Sequence, residues 1–281
     1  MPVIVPAYAK LNLTLDLLGL RQDGYHEIAS VMQTVSLHDL LLVERSDCRI
    51  FECEGMSIGG ENLVLRAARE LEASLGRALP FRVRLLKRIP VGAGLGGGSA
   101  DAAAFLRVAP SLYGLELEAG RLQSIAAGIG QDVPFLLRGG TGLASGAGST
   151  LEQLPPLDSA WRFLVVCPDV EVSTSAVYQA AEAGAGDARR TQNVAAALRA
   201  GLRPKARDLG NDLEAASRAC YPALASALEP LRSLLPGLRM TGTGAAFFTP
   251  VDGPGQAGRA LQACAAHGLK AWICHAVPAW S

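Results

Sequence analysis

The 281-residue sequence predicts a two-domain α+β fold, and three observations carry that prediction. Alternation of apolar and polar residues marks strands through much of the chain before residue 90. A glycine-packed loop then joins a strand to a helix. Beyond residue 156, signals for a strand, helices, paired strands, a helix and a last strand follow in the order of helices packed on one antiparallel sheet. The length accommodates one large or two ordinary domains with a sizeable core.

The elements follow in order. Leu11, Leu13, Leu15 and Leu17 alternate with Lys10, Asn12, Thr14 and Asp16, the period of a half-buried strand with Lys10 and Asn12 on its polar face. Asp23-Gly24 is a turn signal. Strands are predicted near 28–37, 40–45 and 48–53. Asn62 is a suitable N-cap for a helix with Leu63, Ala67, Leu71 and Leu75 at four-residue spacing. Phe81, Val83, Leu85, Lys87 and Ile89 alternate as a strand that runs into Pro90. Ala102, Ala103 and Leu106 read as helix, another spans 117–127, and a short one starts near Asp132. The stretch 138–156 is rich in Gly, Ser and Pro, and the domain boundary is placed near its end, giving domains 1–155 and 156–281. The second domain reads as a strand at 161–167, helices over 174–235, paired strands at 237–241 and 245–251, a helix at 255–267 and a strand at 270–277.

Composition narrows the function classes. Hydrophobic residues at 49% and charged residues at 19% describe a globular chain rather than a disordered one. Lys plus Arg equals Asp plus Glu at 26 each, so no basic surplus favours nucleic acid or a membrane surface. Cys48, Cys53, Cys167, Cys220, Cys264 and Cys274 form no CxxC pair and match no zinc spacing, which fits small thiols in a reducing cytosol. The first residues lack the pattern of a signal peptide, and no run of about 18 apolar residues exists, so a cytoplasmic protein is expected. No long heptad run indicates a coiled coil, and the expectation is a monomer or weak homodimer.

The strongest chemical signal runs from Pro90 to Asp101. Five glycines in the seven residues Gly92–Gly98, between strand and helix, allow positive φ and close approach of a ligand to the backbone. The following helix offers unpaired N–H groups and the positive end of its dipole, which suits a phosphate. Ser99 can add a hydroxyl. No Lys follows the glycines, so the loop is not of the Walker type. Gly92, Gly94 and Gly97 satisfy the GxGxxG dinucleotide fingerprint, which also wants an acidic residue ending a second parallel strand. Glu116 and Glu118 stand near that distance in a helical-looking stretch, so dinucleotide binding, as in a nicotinamide-dependent oxidoreductase, ranks behind phosphate binding as the reading of this loop. Asp132 after Gly130 reads by itself as a helix cap, Lys10 by itself as a solvated lysine, and Thr241–Gly244 as a second glycine turn.

In combination these pieces resemble the GHMP kinase superfamily. The glycine loop resembles its phosphate loop, and Thr241–Ala245 its C-terminal glycine motif. Within the superfamily the closer resemblance is to the branch acting on a cytidine diphosphate-linked sugar alcohol. It rests on Ala9–Leu13, Asp23–Glu27, Glu61–Leu63, Lys87–Pro90, Gln131–Phe135 and Asn211–Glu214. The resemblance implies that ATP, as its Mg2+ complex, phosphorylates the 2-hydroxyl of 4-diphosphocytidyl-2-C-methyl-D-erythritol in the non-mevalonate route to isoprenoid precursors. It implies an N-terminal ATP-binding domain like ribosomal protein S5 domain 2 and a ferredoxin-like C-terminal substrate-binding domain. By the same resemblance Asp132 is the general base and Lys10 its cationic partner. Pro90, Val91, Gly92, Ala93, Gly94, Leu95, Gly96, Gly97, Gly98, Ser99 and Ala100 hold the ATP phosphates, and Asn62 and Lys87 line the nucleotide pocket. Asn12, Tyr25, His26, Thr174 and Tyr178 line the substrate pocket, with His26 reading the cytosine edge and Tyr25 and Tyr178 stacking on it. Ala100 replaces a second serine common at the loop's end, leaving Ser99 or Asp101 to compensate. Mevalonate- or homoserine-type kinases are the near alternative, but their substrates carry no base for the Gly-Tyr-His segment to read. A non-catalytic member of the superfamily would be expected to lack Lys10 or Asp132.

Overall fold

Period-two patterning yields strands from the start of the chain. In the computed structural model, which describes residues 2–55, 61–148, 150–182 and 186–280, β1 (Val3–Asn12) and β2 (Thr14–Leu20) follow one another through Leu13. The Asp23-Gly24 turn closes as the Arg21 amide donates to the Tyr25 carbonyl at 2.7 Å, and β3 (His26–Arg45) returns alongside β2. Two separate strands are predicted near 28–37 and 40–45; they are one, because the polar break at Ser36–Asp39 finds partners inside the fold. β4 (Ile50–Glu54) and α1 (Leu63–Leu75) follow, and Asn62 caps α1 by accepting from the Val64 amide at 2.8 Å. Next come β5 (Phe81–Leu86), α2 (Gly97–Tyr113), α3 (Ala119–Ile129) and α4 (Val133–Arg138).

The Gly/Ser/Pro-rich stretch 138–156 carries a hairpin, β6 (Thr141–Gly146) and β7 (Thr150–Gln153), with Gly146 and Gly148 at positive φ in its turn. Then come β8 (Arg162–Cys167), α5 (Thr174–Ala180) and α6 (Arg189–Arg199). The predicted helical region 174–235 is interrupted by β9 (Gly210–Asn211), and residues 183–185 lie outside the described residues. α7 (Leu213–Cys220), α8 (Pro222–Leu228), β10 (Arg239–Met240), β11 (Phe247–Val251), α9 (Gly253–Ala266) and β12 (Lys270–His275) complete the chain.

The chain divides into two compact units. The first gathers residues up to Ala9, Leu37–Val91 and Gly96–Arg138. There β5 lies between β4, which is parallel to it, and the second half of β3, which is antiparallel. Its strict in-out burial supplies Phe81, Val83 and Leu85 to a core shared with Leu41, Leu71 and Phe105. The Phe81 and Phe105 rings meet edge to face at 5.1 Å.

The second unit gathers Lys10–Ser36, Gly92–Leu95 and Gly139 onward. The first half of β3 pairs with β2 and β6, and β9 adds to β2 in parallel. A separate antiparallel sheet has the order β10-β11-β8-β12, with helices in both crossovers. That is the ferredoxin-like arrangement anticipated from the resemblance. The strand carrying Thr14 and Asp16 is buried on both faces rather than half-buried. The Thr14 and Thr191 hydroxyls are 2.8 Å apart, and Asp16 accepts from the Arg190 side chain at 2.7 Å and the Thr191 amide at 3.0 Å. α6 therefore covers what the pattern marks as a wet face.

Candidate active site

In the first unit β5 delivers the chain to Lys87 and Pro90; Gly92 and Gly94, counted with the second unit, and Gly96, back in the first, are left-handed, with φ of +68°, +74° and +70°. Only glycine takes such a sequence of dihedrals without strain. The loop ends on α2, whose N-cap is Gly96 and has no side-chain cap. A 17-residue helix thus presents its first-turn amides and dipole end with no acidic residue in that turn. That is anion-binding geometry. Leu63 at the start of α1 lies 3.4 Å from where a Cβ on Gly98 would stand, so the Asn62 cap is brought to the start of α2. Ser99 Oγ lies 4.0 Å from the corresponding Cβ position on Gly130, which brings the segment leading to Asp132 to the same place. Asp132 is half-buried, and its carbonyl accepts from the Leu136 amide at 3.0 Å as α4 begins. The Arg107 guanidinium, held down to about 10 by burial, donates from α2 to the Leu136 carbonyl at 2.8 Å and ties α4 in place.

Lys87 is not a solvent-facing lysine. Its ammonium is buried and bonded to Asp39 at 2.5 Å and Asp101 at 2.9 Å. Burial pulls the lysine's pKa down, but the two carboxylates outweigh it and the net shift is upward. Burial, with repulsion from Asp39, holds the Asp101 carboxyl well above the usual carboxylate range against the pull of Lys87. Asp101 Oδ2 is thereby engaged with Lys87 at 2.9 Å within this buried cluster. Asp39 is the residue that sequence reasoning missed, and the available signal was a lone aspartate inside an apolar strand.

In the second unit Lys10 and Asn12 are both buried. Lys10 Nζ donates to Asn12 Oδ1 at 2.6 Å, and the Lys10 amide donates to the Leu95 carbonyl at 2.9 Å. The Asn12 amide donates to Thr241 Oγ1 at 2.9 Å, its side chain donates to Ser30 at 2.8 Å, and Oδ1 also accepts from the Gly242 amide at 3.0 Å. One asparagine therefore joins Lys10 to the Thr241–Gly244 turn. That turn lies against the phosphate loop: the Ala246 amide donates to the Ala93 carbonyl at 3.1 Å. The Thr174 and Thr243 hydroxyls are 3.2 Å apart. The His26 and Tyr178 rings are 5.6 Å apart and tilted by 41°. Tyr25 is 59% exposed in the turn before β3, its amide donating to Asp23. The structure thus groups His26 with Tyr178 and Thr174 with the glycine turn.

The dinucleotide reading fails on topology. Glu118 precedes α3, Glu116 lies just before it, and no strand follows α2 until β6, which is antiparallel to β3.

Residues 62–140 match the model for the GHMP kinases N terminal domain. A 4-diphosphocytidyl-2-C-methyl-D-erythritol kinase of Moorella thermoacetica is 42% identical over 87% of this chain and 88% of its own. One of a Synechococcus species is 39% identical over 96% and 95%. A crystal structure of 4-(cytidine 5'-diphospho)-2C-methyl-D-erythritol kinase superposes with a TM-score of 0.79 at 35% identity, covering 98% of this chain and 99% of that one. Homoserine kinase from Cytophaga hutchinsonii, at 17% identity and a TM-score of 0.73 over 99% and 95%, shares the fold. With identities near these levels over almost its whole length, the chain belongs to the 4-diphosphocytidyl-2-C-methyl-D-erythritol kinase family of GHMP kinases.

Proposed function

We propose that the protein transfers the γ-phosphoryl group of ATP to the 2-hydroxyl of 4-diphosphocytidyl-2-C-methyl-D-erythritol, a step in the non-mevalonate supply of isoprenoid precursors. The observation that carries the reading is the loop that turns through three left-handed glycines onto the uncapped start of α2. Relatives that match most of this chain's length bear the name of that kinase.

In this reading the amides of residues 90–100, with Ser99, hold the ATP phosphates, and Asn62 and Lys87 support the nucleotide side. Magnesium brought with the nucleotide would neutralise charge on the phosphates, with Ser99 the hydroxyl nearest to help hold it. Asp132 accepts the proton of the 2-hydroxyl as its oxygen bonds to the γ-phosphorus and the bridging oxygen leaves with ADP. A carboxylate is a weak base at neutral pH, so its contribution comes from placement and from proton transfer late in a loose transition state. Lys10, fixed by Asn12 Oδ1, supplies positive charge to the transferring group. His26, with Tyr178 beside it and Tyr25 in the adjoining turn, recognises the cytosine, and Asn12 and Thr174 complete the substrate side. Residues 1–155 then form the ATP-binding domain and 156–281 the substrate-binding domain of a monomer or weak homodimer acting on a cytidine diphosphate-bearing small molecule, not on nucleic acid. Among the described residues no helix is long and apolar enough to cross a membrane.

The test is a phosphorus-31 NMR time course with magnesium, ATP and the cytidine-bearing substrate. A new phosphomonoester signal is expected from the wild type and is lost or strongly slowed in Asp132→Asn. No signal, with turnover of mevalonate or homoserine instead, would overturn the substrate assignment. Equal rates in wild type and variant would overturn the base.

A further inference from the structure

A carboxylate in the middle of an apolar strand is costly unless donors surround it. Asp39 on β3 is fully buried, at 0% exposure. Its donors come from three consecutive residues. Oδ1 accepts from the Arg88 amide at 2.5 Å and the Ile89 amide at 2.8 Å, and Oδ2 takes the Lys87 ammonium at 2.5 Å. Those residues lead directly into Pro90, the entry of the phosphate loop. The same ammonium reaches the exit. It bonds Asp101 Oδ2 at 2.9 Å on α2 and lies 3.0 Å from where a Cβ on Gly97 would stand, against the first turn of that helix. Asp101 is held here through Lys87 and through its own contact with Asp39.

We propose that Asp39 is a positioning residue for nucleotide binding, a buried staple that fixes both ends of the phosphate loop. The proposal rests on the ATP reading above. Its reason is entropic: a loop with so many glycines adopts the required dihedrals freely but does not hold them. Amides that must already point at a phosphate need support from outside the loop. Asp39 supplies it by clamping the entry backbone directly and the exit helix through Lys87. Asp101 is the staple's far anchor, and Lys87 is its bridge.

The test is Asp39→Asn. The amide keeps an acceptor for the Arg88 and Ile89 N–H groups but turns an NH2 donor toward Lys87, so the link to α2 opens. Lys87 still bonds Asp101, whose carboxyl ionises more readily once the Asp39 charge no longer repels it, so the buried charge stays balanced and the variant folds. The dissociation constant for a fluorescent mant-ATP analogue should rise roughly tenfold or more, the loss of one charged hydrogen bond. KM for ATP should rise with it, while KM for the cytidine-bearing substrate stays unchanged. Amide hydrogen exchange should quicken over 87–101 and not elsewhere. Wild-type mant-ATP binding in the variant would overturn the proposal. So would a parallel weakening toward both substrates with exchange raised throughout, which marks a merely structural residue. A wild type that fails to bind mant-ATP would sink the ATP reading instead, and the exchange measurement would still decide whether Asp39 staples the loop.

Discussion

Gly94→Ala tests how closely the phosphate loop and the C-terminal glycine turn must pack. Gly94 sits at φ +74°, where a side chain adds roughly 1–2 kcal/mol of backbone strain. A Cβ there would stand 2.2 Å from the Thr241 carbonyl oxygen and 3.1 Å from that of Gly244. Both are backbone atoms, so no side chain can swing aside. Relief requires displacing the turn that Asn12 holds through Thr241 and Gly242. Overpacking of this kind costs about 1–3 kcal/mol, for a total of about 2–5 kcal/mol. Gly92→Ala is the control: its φ of +68° carries the strain alone, with nothing within 4 Å of the added carbon. In a chain of this size about 1 kcal/mol moves the melting temperature by roughly 2–4 °C. Gly94→Ala should therefore melt well below Gly92→Ala in a circular-dichroism scan and show the larger rise in KM for ATP. Equal melting and equal KM in the two variants would refute the close-packing argument.

Arg190 spans Asp16 and Asp212, with Asp16 buried beneath it. Arg190→Gln should cost about 1–3 kcal/mol by urea denaturation, discounted for the arginine's own exposure; an unchanged midpoint would count against the pairing. Asp101 keeps its proton in the folded state to a higher pH than in the unfolded chain, where its carboxyl titrates near 3.8. Folding therefore takes up a proton between those values, so this contribution to stability is complete below the lower one and lost as pH rises through the higher. Asp101→Asn removes that dependence, so its melting temperature should gain on the wild type as pH rises above the unfolded-state value of 3.8; a difference that stays constant with pH would reject it. Cys48, Cys53 and Cys220 are exposed, whereas Cys167, Cys264 and Cys274 are buried, with burial pushing the Cys167 thiol up to about 11. Ellman's reagent should react readily with the first three in the native protein and with all six only after denaturation.

Much of the site was legible because local rules govern it. Asn62 caps α1 as its position before a four-residue apolar spacing requires, and the Thr241–Gly244 turn joins two strands as its glycines allow. The Asp39 staple was not legible: a lone acid in an apolar strand shows that a partner must exist but not which one. Nor was the hairpin at 141–153, where pairing with β3 outweighs a composition that disfavours strands.

The sequence by itself determined many of the strands and helices, the phosphate loop and the family, because period, capping and the steric freedom of glycine act over a few residues. Tertiary structure decided which polar groups are buried and what each one holds. Asn12 finds Thr241 and Gly242 from the far end of the chain, Asp16 finds Arg190, and Asp39 finds the residues that enter the loop. Removing a charge or an amide from water is tolerated only where such a partner arrives, and chain folding, not local pattern, brings it there.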